Sequence, residues 1–148
     1  IFHPHAAAEA AFRPAVGDRM NNAMAVKTAL DAGLHVGQGA DWQTLNPDPN
    51  PFIAIESLVT RANPFDPSMT GTLAPSEAVS LEQAIEIATI EGAWVLGVEN
   101  ELGSIEVGKF ADMIVLDQNL FEIDADEIYG TNVLQTILGG DVVYDRSQ

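Results

Sequence analysis

Cysteine is absent from the 148 residues. That excludes a disulfide framework, a thiolate metal site and a cysteine nucleophile, and it suits the cytoplasm, the compartment expected for the chain. Basic residues are scarce: 6 Lys and Arg stand against 22 Asp and Glu, for a net charge of -16. A surface so acidic makes nucleic acid and anionic membranes poor partners. Long apolar runs are missing too, so no membrane span is expected, and neither a secretory signal nor a lipidation motif is read. The first residue is Ile1, which methionine removal is not expected to expose, so further residues are expected upstream.

What is present is globular in composition. Hydrophobic residues make up 47% and charged residues 19%, which argues against disorder. A chain this long buries roughly 68–70% of the surface its unfolded form exposes. The charge is unevenly placed: residues 77–148 hold 15 acids and 2 bases, residues 1–76 hold 7 and 4. The second half is therefore expected to face water and much of the first half to lie against protein. A uniformly acidic surface suited to high salt is the alternative.

Local patterns set out the elements. Ile1-Phe2-His3 reads as the end of a strand, and the alanine-rich stretch from Ala6 to Phe12 as a helical turn ending before Pro14. A helix is predicted from the Asp18 cap to Ala32, with Gly33 at its C′ position. Leu34 to Gln38 reads as a strand broken by Gly39-Ala40-Asp41-Trp42. Alternating prolines make residues 46–50 a loop, and Pro51 opens a helix running to about Arg61. Residues 62–79 form a second loop. Ser80-Leu81-Glu82-Gln83 is a capping box that opens a helix to Leu96, closed by Gly97. The apolar run Asp112 to Leu116 is expected to be a buried strand. A helical turn at Asp124 to Ile128 and a hairpin folded at Gly139-Gly140 complete the order.

The segment Gly103 to Asp117, with turn glycines at 103 and 108 before the apolar strand, resembles the sheet-domain signature near the C-terminus of amidohydrolases. The order of the other segments resembles one branch, amidohydrolase family 3, which includes N-substituted formamide deformylases. Ala29 to Gly33 leads into a strand and Gly39-Ala40-Asp41-Trp42. Val59-Thr60-Arg61 follows, then the capped helix with Thr89 and Ala93. The resemblance implies an α/β fold, the C-terminal fragment of a metal-dependent hydrolase (β/α)₈ TIM barrel followed by a small β-rich composite sandwich domain. Residues 1–97 would supply the last strand–helix units and residues 98–148 the C-terminal part of the sandwich. It also implies hydrolysis of carbon–nitrogen bonds other than peptide bonds, on an amide or formamide-type small molecule.

Asp41 matches the family's carboxylate at the end of the eighth strand, which contacts metal-bound water and shuttles its proton. Asp41 is thus the candidate catalytic residue and metal contact. The family's wording there is Ser-Asp, against Ala40-Asp41 here. From spacing alone, an Asp after a short strand reads first as a turn residue or helix cap. A divalent metal, zinc by expectation, belongs to the intact parent; none is expected to bind this chain tightly alone, because the other ligands come from earlier strands.

Three further residues are candidates for substrate contact. His3-Pro4-His5 has the His-x-His form of a metal pair. Only 36 positions separate His5 from Asp41, however, against about 250 residues for a full barrel. His5 reads first as a loop histidine, then as a pocket contact, and only then as a ligand. Trp42 can wall a pocket or fill core. Arg61 ends a helix, where a cation suits the dipole; it reads first as a structural pairing residue, and the resemblance adds a place near the active site. His35 is expected to be a packed, hydrogen-bonded histidine, Trp94 a core residue, Lys109 a turn residue and the acids from Asp117 to Glu127 a solvated face. The competing reading is a non-catalytic assembly module. Two barrel strands cannot close a barrel, so their edges would seek a second copy or the remaining barrel segments.

Overall fold

The computed structural model describes residues 6–40, 48–64 and 71–147, with the backbone alone for residues 6–9. The expected strand end at Ile1 to His3 and the candidates His5, Asp41 and Trp42 lie outside the described residues. Among the described residues five helices precede a three-stranded antiparallel sheet: α1 (Ala6–Val16), α2 (Val26–Asp31), α3 (Pro51–Thr60), α4 (Leu81–Ala88), α5 (Ile90–Leu96), then β1 (Met113–Leu116), β2 (Val133–Leu138) and β3 (Asp141–Asp145). The sheet order is β1-β2-β3. Short 3-10 turns lie at Gly17–Asn22, Pro75–Glu77 and Ala125–Gly130.

The core is built around α3. From Phe52 to Leu58 every residue of this helix is buried, as expected of a helix enclosed on all sides. Asn50 caps it by accepting the Phe52 N–H at 3.0 Å, and Pro51 takes the first turn, where its missing N–H costs nothing. Phe52, Ile55 and Leu58 pack with Val79, Ala84 and Ile87 of the next layer and with Leu120 and Ile128. Buried Glu56 reaches from α3 to accept the Tyr129 N–H at 2.7 Å, tying the helix to the 3-10 turn at Ala125–Gly130.

Local signals resolve as chemistry predicts where the partners are adjacent in sequence. The Ser80 side chain accepts the Gln83 N–H and the Gln83 side chain accepts the Ser80 N–H, closing the capping box. Gly33, at φ 74°, donates to the Leu30 carbonyl while Leu34 donates to Ala29, the paired bonds of a Schellman ending. Gly139 and Gly140, at φ 59° and 91°, turn the hairpin. Their amides donate to Asp112 Oδ1 at 2.6 Å and to the Ala111 carbonyl at 3.1 Å.

Five expectations are corrected. The first helix continues through Pro14 to Val16, and Gly17 at φ 58° stops it instead. The helix predicted from Asp18 to Ala32 is broken. Ala23 is extended and Met24 sits at φ 55°, because the Ala23 carbonyl accepts a hydrogen bond from Arg61 rather than from a helical neighbour. The helix from the capping box is interrupted at Thr89, where the backbone departs from helical angles. Leu34 to Gln38 is not a strand: among the described residues no strand lies beside it to form a ladder. The run in β1 is not buried either. Ile114 and Val115 are 47% and 41% exposed, because the sheet contacts chiefly its own strands.

Candidate active site

The site is approached through residues 34–40, the segment that leads into Asp41. Without a ladder its polar backbone needs other partners. Helix α5 supplies one of them and holds the neighbouring side chain. Oε2 of Glu91 accepts the Val36 N–H at 3.3 Å and lies 2.9 Å from Nδ1 of His35. An ionised carboxylate only accepts, so Nδ1 carries the proton in that bond. One turn along, Trp94 stacks on the His35 ring, with centroids 3.5 Å apart and planes 13° from parallel. Gly37 lies over the same turn, where a Cβ would stand 3.4 Å from Val95 and 3.5 Å from the Gly92 Cα. The segment is held at three successive residues by one face of α5.

His35 is hydrogen-bonded, as expected. Trp94 corrects its expectation: at 48% exposed it is a clamp on the His35 ring rather than core. Within α5 only Ala93 is buried, so the apolar run Trp94-Val95-Leu96 points outward. Glu91 was not singled out from sequence. Its signal was there: Glu91 and Trp94 are i and i+3 on a helix, which places them on one face.

Beside the segment opens a cavity of about 770 Å³, lined by Gly37, Gln38 and Gly39 and, opposite, by Ala93, Val98 and Ile105. Its wall is mostly apolar, and the buried Oε1 of Gln38 has no hydrogen-bond partner among the described residues. Gly103 closes the far side at φ 90°, with its backbone so near α5 that a Cβ would stand 2.8 Å from both the Ala93 Cβ and the Ile90 Cα.

Arg61 sits in a second polar knot. It is 3% exposed and ends α3 in the left-handed region at φ 57°. Its Nε donates to the Leu73 carbonyl at 3.0 Å and its Nη2 to the Ala23 carbonyl at 2.8 Å. Its own carbonyl accepts the Leu73 N–H. Burial lowers the guanidinium's affinity for its proton, and the nearby Glu77 opposes that. Glu77, itself buried, accepts the side-chain and backbone donors of Thr28 at the start of α2. Those bonds, with the Arg61 charge, hold its carboxyl below the usual range. The other residues at positive φ that are not glycine, Met24 and Ala74, adjoin Ala23 and Leu73, so the described strain gathers around Arg61. The guanidinium thus joins three segments of backbone.

Lys109 lies in a turn as expected, with Nζ on Ser104 at 2.6 Å. Glu122, Asp124, Asp126 and Glu127 are exposed, a solvated face. Among the described residues no three His, Asp or Glu side chains are grouped to hold a metal ion. Among them, too, no helix is long and apolar enough to cross a membrane.

Comparison with known proteins bears on this arrangement. The profile of the amidohydrolase family matches residues 4–144. An N-substituted formamide deformylase of Arthrobacter pascens is 32% identical over 124 residues, covering 82% of this chain and 21% of that protein. A 5'-deoxyadenosine deaminase of Methanobrevibacter smithii is 34% identical over 136 residues, covering 82% of this chain and 28% of its own length. Among solved structures, a triazine hydrolase variant superposes with a TM-score of 0.61 at 24% identity, over 83% of this chain and 28% of that one. The last likeness speaks to the fold alone. The chain spans about a quarter of the length of the curated relatives it matches.

Proposed function

The chain belongs to the amidohydrolase family, and from that premise we propose that it is the C-terminal portion of a hydrolase of carbon–nitrogen bonds other than peptide bonds. Residues 1–97 contribute the last units of a barrel and residues 98–148 part of a small sheet domain. The substrate is a small molecule of amide or formamide type, with N-substituted formamides as the first to test. Asp41 is the catalytic carboxylate, with Trp42 and His5 on the substrate side. The observation that carries the reading is the held segment 34–40. The chain invests a carboxylate, an aromatic stack and a close glycine contact in fixing the residues that run directly into Asp41.

A carboxylate beside a hydrolytic water takes its proton as the water attacks the carbonyl carbon, then returns a proton to the leaving nitrogen. Arg61 supports this by tying the end of α3 to the Leu73 and Ala23 carbonyls.

The test is an amine-release assay on N-substituted formamides. Protein expressed from the full gene is expected to turn them over. The 148-residue chain alone, with added zinc, is expected neither to hydrolyse them nor to bind zinc tightly. Robust turnover by the chain alone would refute the assignment of the missing machinery to other polypeptide.

A second reading, an assembly module, is favoured by the exposed apolar residues Ile114, Val115, Val142, Val143 and Tyr144 of the sheet. It predicts a second copy on that sheet. Light scattering of the purified chain that gives a monomer at all concentrations would exclude it.

A further inference from the structure

Glu56 takes no part in the reaction outlined above. We propose that it is a proton-responsive latch: its carboxyl seats the turn Ala125–Gly130 on α3 more firmly when protonated than when ionised. The inference goes beyond the hydrolytic reading and uses none of its reacting groups. The geometry is that of an interface. Glu56 lies in the middle of α3 and is 4% exposed. It accepts the Tyr129 N–H at 2.7 Å, across 73 positions of chain. Along the same helix–turn interface Phe52, Ile55 and Leu58 of α3 pack with Leu120 and Ile128. The turn is fixed in its own right to the sheet. Asp117, just past β1, accepts the Asn132 N–H at 2.9 Å, and Gln118 donates to the Thr131 hydroxyl at 2.9 Å. The state of Glu56 therefore bears on how the whole connection between β1 and β2 sits on α3. Donor, acceptor and the residues that bury them are all described, so further chain can cover this contact but does not remove it.

Burial penalises a charged carboxylate far more than a neutral acid. Closing the turn on α3 takes the Glu56 carboxyl out of water, which raises its affinity for a proton. The Tyr129 N–H opposes that in part, and the Asp126 charge adds to it. The elements packed chiefly against α3 are this turn and α4. The turn carries Asp126, Glu127 and the Tyr129 phenol, and α4 carries Glu82 and Glu86; all four acids are exposed. The closed carboxyl thus takes up its proton at a higher pH than the open, solvated one. The tightening is complete below the ordinary carboxylate value and is lost as pH rises through the raised one. Mild acid holds the connection on α3, and neutral pH loosens it.

The test is hydrogen exchange of the peptide covering residues 124–132, read by mass spectrometry in protein expressed from the full gene and corrected for the intrinsic pH dependence of exchange. The parent protein is expected to gain protection there by about twofold or more as pH falls from about 7.5 to about 4.5. Glu56→Gln keeps an acceptor for the Tyr129 N–H without the charge, and is expected to hold the acid level of protection across that range. Glu56→Ala removes the acceptor, and is expected to lose about 10- to 100-fold in protection at neutral pH and to show no response. Parent protection that stays level or falls toward acid would overturn the latch, as would the same gain in Glu56→Gln. Asp126→Asn, at an exposed position, carries the test should both Glu56 variants fail to fold. Removing the repelling charge is expected to move the midpoint of the response to lower pH, and a midpoint that stays or rises would overturn the latch.

Discussion

Two glycines that share a backbone conformation but not an environment give a sharp test of the packing. Gly103 and Gly108 lie at φ 90° and 100°, a region that side chains rarely adopt, so alanine at either position strains the backbone by about 1–3 kcal/mol. Around Gly108 there is open space. At Gly103 a Cβ would stand 2.8 Å from the Ala93 Cβ, 2.8 Å from the Ile90 Cα and 3.2 Å from the Ile90 nitrogen. Two of those atoms are helix backbone and cannot swing away, so overpacking adds about 1–3 kcal/mol. Gly103→Ala is therefore expected to cost about twice as much as Gly108→Ala. Urea unfolding followed by circular dichroism reads the difference as a larger fall in midpoint at similar slope. At about 2–4 °C per kcal/mol, the melting temperatures of the two variants should also separate by several degrees. Equal destabilisation would refute the close approach of the turn at 103 to α5, and with it the wall of the cavity beside residues 37–39.

Two further predictions concern the knot around Arg61. Arg61→Ala would leave the Leu73 and Ala23 carbonyls without their donor and the buried Glu77 without the nearby cation, at a cost of about 3–5 kcal/mol, with no relief at φ 57° because alanine keeps the Cβ; a thermal melt unchanged within a degree would contradict this. Glu77 has its carboxyl pKa lowered by the Thr28 donors and Arg61, so its ionised form is favoured in the folded state. Its contribution is complete above the ordinary carboxylate value and is lost as pH falls through the lowered one. Glu77→Gln should accordingly flatten the acid side of the stability–pH curve, measured by urea unfolding from neutral pH down to about pH 3.

What was legible in the sequence follows from where each element finds its partners. The capping box at Ser80 and Gln83, the glycine ending at Gly33 and the turn at Gly139-Gly140 are closed by groups within a few residues, so residue type and spacing suffice. Pro51 at the start of α3 belongs to the same class. The misses depend on atoms distant in the chain. Leu34 to Gln38 carries a strand-like pattern, yet a strand needs a neighbour, and its bonds go instead to Glu91 across 55 positions. The break at Ala23 is set by a guanidinium 38 positions away. Trp94 lies among apolar residues in sequence, but an isolated run of apolar residues does not say which of them another element covers. Arg61 shows the limit most clearly. Its end-of-helix position was readable, whereas its left-handed backbone and its two carbonyl partners were not. The family resemblance read from the order of segments is borne out by the match over residues 4–144, while the role of Asp41 stands as a proposal.

The most direct measurement is the steady-state rate of formamide hydrolysis by protein from the full gene, with aspartate or asparagine at position 41. Asparagine keeps the size of the side chain and removes its capacity to take a proton. A kcat lowered by about 100-fold or more, with the fold intact by circular dichroism, is the outcome the account predicts. Turnover within a few-fold of the parent protein would contradict it.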